Sequence, residues 1–147
     1  MERTKAIPPS RLGFFILYMD TAPQKLAAMI VDDDSFLITL YKKKAEEEGL
    51  DLKTALSGDE AITILKEGFQ PKVIALDMSM AGMTGLDILK EIKSHNLAPE
   101  AKVIFLSNTT DDVTVAEAKE FGVYKFIVKA SLLPSQVIDE LVKIAGE

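Results

Sequence analysis

Four apolar runs in this chain each end in a side chain that can take part in ionic chemistry. Val73-Ile74-Ala75-Leu76 leads into Asp77, Met29-Ile30-Val31 into Asp32, Asp33 and Asp34, Val103-Ile104-Phe105-Leu106 into Ser107, and Phe126-Ile127-Val128 into Lys129. Continuous runs of Val, Ile and Leu are the pattern of strands buried on both faces. A single acid at a strand end reads equally well as a solvated residue opening a loop. Four complementary ends together read differently, because the carboxyl ends of a parallel sheet lie along one edge, where open α/β sheets bind ligands. Clustered carboxylates raise one another's pKa unless a cation neutralises them. With oxygen donors the cation is Mg²⁺ or Ca²⁺, and Mg²⁺ suits a site that keeps waters. The chemistry that uses this whole set is phosphoryl transfer to or from a carboxylate. The metal and lysine neutralise phosphoryl oxygens, the hydroxyl donates to another, and a strand-end aspartate attacks in line.

Composition narrows the alternatives. The chain has 147 residues, enough for one core, with 48% hydrophobic and 27% charged residues and a net charge of -6. Such a surface lacks the basic footprint of a nucleic-acid binder, so direct DNA contact is not expected. Absence of cysteine excludes disulfides and thiolate metal sites, and the single histidine, His95, sits in a polar stretch that reads as exposed loop.

The elements that must position the four strand ends alternate in type. Strands are expected at 25–31, 50–56, 73–77, 101–106 and 124–129. Helices are expected from Ser35, read as the cap, to about Glu48 with Gly49 as its stop, after Ser57-Gly58-Asp59, after Gly85, from Thr109-Thr110 to Phe121-Gly122, and from Pro134 onward. The first helix is expected to place Phe36, Leu37, Leu40 and Tyr41 on its apolar face. Five strand-helix alternations imply a parallel sheet with right-handed crossovers, a three-layer α/β/α sandwich. Residues 1–23 differ from the rest: Arg3, Lys5 and Arg11 precede an apolar run, Leu12 through Met19, too short for the roughly 20 residues of a membrane span. A signal peptide would have to cleave near Leu26-Ala27-Ala28, inside the first strand, so the segment is read as an extension or a start assigned too early, with Met19 as initiator. Residues 24–147 form the domain.

With these residues in view the chain resembles the receiver domains of response regulators in two-component signalling. The resemblance rests on Ile30-Val31-Asp32-Asp33-Asp34, Leu76-Asp77-Met78 with Gly82-Met83-Thr84-Gly85, Leu106-Ser107-Asn108 and Phe126-Ile127-Val128-Lys129, and on Ser107 and Lys129 standing 30 and 52 positions beyond Asp77. It implies a flavodoxin-like receiver fold, a five-stranded parallel sheet of order 2-1-3-4-5. By the same resemblance Asp77 is the phosphoacceptor, supplied by a phosphohistidine of a sensor histidine kinase or histidine phosphotransfer protein. Asp33, Asp77 and the backbone carbonyl of Ser79 hold Mg²⁺, with Asp32 acting mainly through water. Ser107 and Phe126 are the switch pair and Lys129 pairs with the phosphate. Asp34 has no family counterpart and reads as added charge or a helix cap.

Three positions depart from the family pattern. Ala81 replaces a loop proline and Thr84 a common acid, which leaves the loop after Asp77 with less built-in rigidity. Ala130 replaces the proline after the lysine; that Lys-Pro bond is typically cis, and with alanine a trans bond is expected. The expectation is therefore a stand-alone, cytoplasmic, non-enzymatic switch without a membrane span. Its output would be phosphorylation-dependent binding to a protein target or a second copy, through the face of the fourth helix, fifth strand and fifth helix. Two rivals remain. One is a haloacid-dehalogenase-type phosphatase with Asp32 as nucleophile, which leaves Asp77 unexplained and has only Asp111-Asp112 as a downstream acidic pair. The other is a degenerate receiver acting as a constitutive interaction module.

Overall fold

The computed structural model describes residues 25–108 and 112–147. Strands and helices alternate along it as β1 (Ala27–Val31), α1 (Ser35–Glu48), β2 (Asp51–Ala55), α2 (Gly58–Lys66), β3 (Val73–Asp77), α3 (Gly85–Ser94), β4 (Lys102–Ser107), α4 (Asp112–Glu120), β5 (Lys125–Val128), a 3₁₀ turn (Lys129–Ser131) and α5 (Pro134–Ala145). All strands are parallel, in the order β2-β1-β3-β4-β5. This is the expected flavodoxin-like, three-layer arrangement.

Strand periodicity divides the core in two. Met29, Val31, Ile74, Leu76, Val103 and Phe105 point to the side covered by α2, α3 and α4. Ala28, Ile30, Val73, Ala75, Ile104 and Leu106 point to the side covered by α1 and α5. Side chains alternate across a strand, so a strand with helices on both sides must be apolar at every position. β3, at the centre, is buried along its whole length and delivers Asp77 at its last residue.

The helix ends are tied locally. Asp34 caps α1, its Oδ1 accepting from the amides of Phe36 and Leu37 at 3.0 and 3.1 Å, and Gly49 stops the helix at φ 71°. Ser35, beside it, is the first helical residue. Ser57 Oγ accepts from the Glu60 amide at 3.2 Å, while Glu60 Oε1 accepts from the Leu56 amide at 2.8 Å. Thr84 and Asp87 form a reciprocal capping box at the start of α3.

Several boundaries and one helix face differ from the sequence reading. β1 begins at Ala27 and β5 stops at Val128, because Lys129 already turns and its carbonyl accepts from the Leu132 amide at 3.3 Å. In α1 the buried stripe is Ile38, Tyr41 and Ala45, and Phe36 is 70% exposed. The stripe follows the 3, 4 spacing of a helix packed on the sheet, and Phe36, two residues before Ile38, falls about 200° round from it on the outward face. Among the described residues no peptide bond is cis, so Lys129–Ala130 is trans. No described helix is long and apolar enough to cross a membrane. Residues 1–23 and the expected helix start at Thr109-Thr110 lie outside the described residues, as does Asp111.

Candidate functional site

β1 and β3 are adjacent and in parallel register, Val31 opposite Leu76, so their next residues leave the sheet side by side. That register, rather than any local signal, sets Asp32 beside Asp77. Asp32, Asp33 and Asp77 each present a carboxylate oxygen within 4.8 Å of the others. Lys129 arrives from the turn after β5, and its Nζ donates to Asp32 Oδ2 at 2.7 Å and to Asp77 Oδ2 at 3.3 Å.

Each acid is also held from its own side. Asp32 Oδ1 accepts from the Asp34 amide at 2.9 Å, and Asp77 Oδ1 accepts from the Ser79 amide at 3.1 Å. Asp33 is exposed, with Oδ2 taking a long 3.4 Å bond from the Ala81 amide. The loop after β3 thus touches two of the three carboxylates through its backbone.

Burial sets the electrostatics. Asp32 and Asp77 are 0% and 6% exposed. Burial pushes the Asp32 carboxyl above its ordinary 3.8, against the pull of the Lys129 hydrogen bond and the Asp34 amide. For Lys129 burial acts downward, yet the hydrogen bond to Asp32 and the charges of Asp32 and Asp77 outweigh it and hold the ammonium above 10.5. The two upward shifts differ in origin: burial dominates at Asp32, whereas at Lys129 the two acids outweigh burial. Tyr41, buried on α1, is pushed up to about 12 by its burial, with the Asp32 charge adding to the effect.

Ser107, buried at 4% exposure, ends β4 in register with Val128, one step past Leu106, which is paired with Asp77. It therefore stands at the same edge of the sheet. Phe126 lies two residues back along β5, half-buried, its ring edge-on to Phe105 at 5.4 Å and 84°. The structure brings Asp32, Asp77 and Lys129 into direct contact, clusters Asp33 with the two acids, and lines up Ser107 and Phe126 on neighbouring strands. Ser79 enters through its amide. Asp34 faces α1 as its cap, and His95 is exposed at the end of α3. The coupling of Tyr41 to the acids was not anticipated, since nothing in a helical tyrosine's spacing reports which strand end it will face. The Thr84-Asp87 box could have been found, as Thr-x-x-Asp before an apolar run is a helix-start pattern.

An all-oxygen donor set with more carboxylate than ammonium charge fits a hard divalent cation. The described residues contain this one group of three potential metal ligands.

Comparison with known proteins agrees with this geometry. The chain is 34% identical over 118 residues to the chemotaxis protein CheY of Thermotoga maritima, covering 80% of this chain and 95% of that protein. It is 30% identical over 111 residues to the DNA-binding response regulator MtrA of Mycobacterium bovis, spanning 76% of this chain but only 46% of MtrA. A CheY-like receiver domain protein from Methanospirillum hungatei superposes with a TM-score of 0.74 over 84% of this chain and 95% of that one, at 19% identity, a likeness of fold. The family model for the response regulator receiver domain matches residues 28–141, which take in β1 with its acids, the loop after Asp77, Ser107 and Lys129. The chain belongs to the response regulator receiver domain family.

Proposed function

We propose that this receiver domain is a phospho-switch in which Asp77 takes a phosphoryl group from a phosphohistidine of a histidine kinase or phosphotransfer partner. The observation that carries the reading is the cluster of three carboxylates at the sheet edge, with Lys129 bonded to both Asp32 and Asp77. Asp77 supplies the nucleophilic oxygen. The new P–O bond forms as the P–N bond to the donor imidazole breaks, and the imidazole leaves with its electron pair and takes up a proton. Asp33, Asp77 and the Ser79 carbonyl would hold Mg²⁺, with Asp32 acting mainly through water; bound there, it neutralises charge on the phosphoryl oxygens. Lys129 balances the same charge from the β5 side, and the Ser79 amide orients the attacking carboxylate.

Once Asp77 carries the phosphoryl group as an acyl phosphate, its bond to Lys129 must be rearranged. Ser107 then bonds a phosphoryl oxygen, and the change passes to Phe126 on β5. The surface that reads this out is α4, β5 and α5, where Phe121, Tyr124 and Val128 are exposed apolar side chains suited to a protein target or a second copy. The domain turns over no substrate and works in the cytoplasm, where its donor is made. Residues 24–147 are its functional unit.

The test is chemical. Incubated with Mg²⁺ and a small acyl-phosphate donor, the protein should gain one phosphoryl group, located by peptide mass spectrometry at Asp77. Asp77→Asn should abolish the gain, Asp33→Ala should slow it through lost metal binding, and Lys129→Ala should leave Asp77 labelled but its output surface unchanged. Label on Asp32 would point instead to a phosphatase-like nucleophile.

A further inference from the structure

The loop between β3 and α3 carries the amides of Ser79 and Ala81 to two of the acids, yet it contains no proline to fix its backbone. Something else must hold it. Gly58, the first residue of α2, is buried, and its backbone gives no reason for glycine, since its φ is not among the positive values in the chain. Space does. A Cβ built on Gly58 would lie 2.4 Å from Met83 Sδ and 2.9 Å from both Cβ and Cγ of Met83. Because one of those atoms is the Cβ, attached to the loop backbone, rotating the methionine would not relieve the clash.

Met83 is thus seated on a missing side chain. Two residues further on, Gly85 is pressed against Asp77 itself, where a Cβ would stand 2.8 Å from the Asp77 carbonyl oxygen and 3.2 Å from Met78 Cα. Gly82, just before Met83, has φ +75° and nothing within 4 Å of the position of a Cβ, so it is glycine for its conformation and not for contact. The loop therefore rests on two close approaches, one to α2 through Met83 and one to β3 through Gly85. The Ser79 and Ala81 amides are carried by the backbone that runs into these supports.

We propose that Gly58 and Met83 are positioning residues for the acid site: the seat of Met83 on α2 sets where the loop presents Ser79 to Asp77 and Ala81 to Asp33, and through them the metal-binding geometry. This rests on the reading of Asp77 as a Mg²⁺-dependent phosphoacceptor. Neither residue touches the reacting atoms. Both act through backbone groups that orient carboxylates, the class of support whose loss weakens metal affinity about 10- to 100-fold.

The experiment uses the full chain and three variants, Gly58→Ala, Met83→Ala and the double substitution. Two quantities are read: the Mg²⁺ dissociation constant by calorimetric titration, and hydrogen exchange of the Ser79 and Ala81 amides without metal. Thermal midpoints are recorded alongside. Gly58→Ala should weaken Mg²⁺ binding about 10-fold and speed exchange at both amides. The double variant, in which Sδ and Cγ are gone, should bind no worse than Gly58→Ala, because contacting residues do not add. A lowered midpoint with unchanged affinity and exchange would overturn the proposal, and so would strictly additive losses. If Gly58→Ala fails to fold, Met83→Ala decides: faster exchange at Ser79 and Ala81 supports the seat, and wild-type exchange and affinity overturn it. A wild-type protein that binds no Mg²⁺ would sink the phosphoacceptor reading, while amide exchange in the variants would still decide the seat.

Discussion

The two ends of the sheet carry the same ingredients in different surroundings. At the carboxyl end Lys129, 15% exposed at its side chain, is bonded to Asp32 and Asp77, whose side chains are 0% and 8% exposed. At the amino end Lys102 Nζ stands 3.4 Å from Glu147 Oε1 and 5.0 Å from the centre of the Tyr124 ring, and the Tyr124 hydroxyl donates to the same Glu147 oxygen. There the lysine is 33% and the glutamate 40% exposed. Water screens the second cluster and is kept from the first. The hydrogen bond from Tyr124 and the lysine lower the Glu147 pKa, the ordinary result when a carboxylate gains donors in solvent. At the other end burial pushes Asp32 upward despite its lysine. A buried cluster with more carboxylate than ammonium charge fits a divalent cation, whereas an exposed, balanced one is only a surface tie.

The largest test of that contrast is removal of the buried lysine. Lys129→Met should destabilise the metal-free protein by about 3 kcal/mol, because it leaves two buried carboxylates without their partner. Urea unfolding at neutral pH measures it. The loss should shrink as the pH falls and the carboxylates take up protons. A variant as stable as wild type at neutral pH would mean that water already reaches the acids.

Tyr41 gives a smaller effect that reports on the same buried end. Its hydroxyl ionises near 12 in the folded protein against an ordinary 10.0. Below pH 10 both states are protonated and nothing changes. Between 10 and 12 the unfolded chain loses the proton that the folded chain keeps, so stability falls as pH rises. The fall should reach about 2 kcal/mol by pH 12. Tyr41→Phe should lack this part of the alkaline loss, and the latest-titrating tyrosinate absorbance should disappear with it. An unchanged alkaline profile would mean the hydroxyl is solvated.

The smallest effect is expected at the amino end. Lys102→Met should shift the urea midpoint by no resolvable amount, and added salt should not separate it from wild type. A loss comparable to that of Lys129→Met would erase the distinction between the two ends.

How far the sequence could be read divides along physical lines. The acids, the serine and the lysine were legible because each closes an apolar run, and such runs have one stable use in an alternating chain. The cap of α1 was read one residue late, at Ser35, because serine and aspartate are both good caps and only the bonds from the Phe36 and Leu37 amides to Asp34 decide between them. The face of α1 was misjudged at Phe36, because four apolar residues in its first two turns, Phe36, Leu37, Leu40 and Tyr41, suggest a face turned away from the one centred on Ile38, Tyr41 and Ala45 that packs on the sheet. Gly58 gave no signal, since a glycine without positive φ announces only that something is close, not what.

The sequence by itself determined the element order and the residues at the strand ends, because periodicity and turn chemistry act over a few positions. Tertiary structure alone decided that one ammonium is shared between Asp32 and Asp77, that Tyr41 feels the charge of Asp32, and that Met83 rests on Gly58. These pairings join groups 9 to 97 positions apart. They depend on strand register and helix packing, and so on where water is excluded.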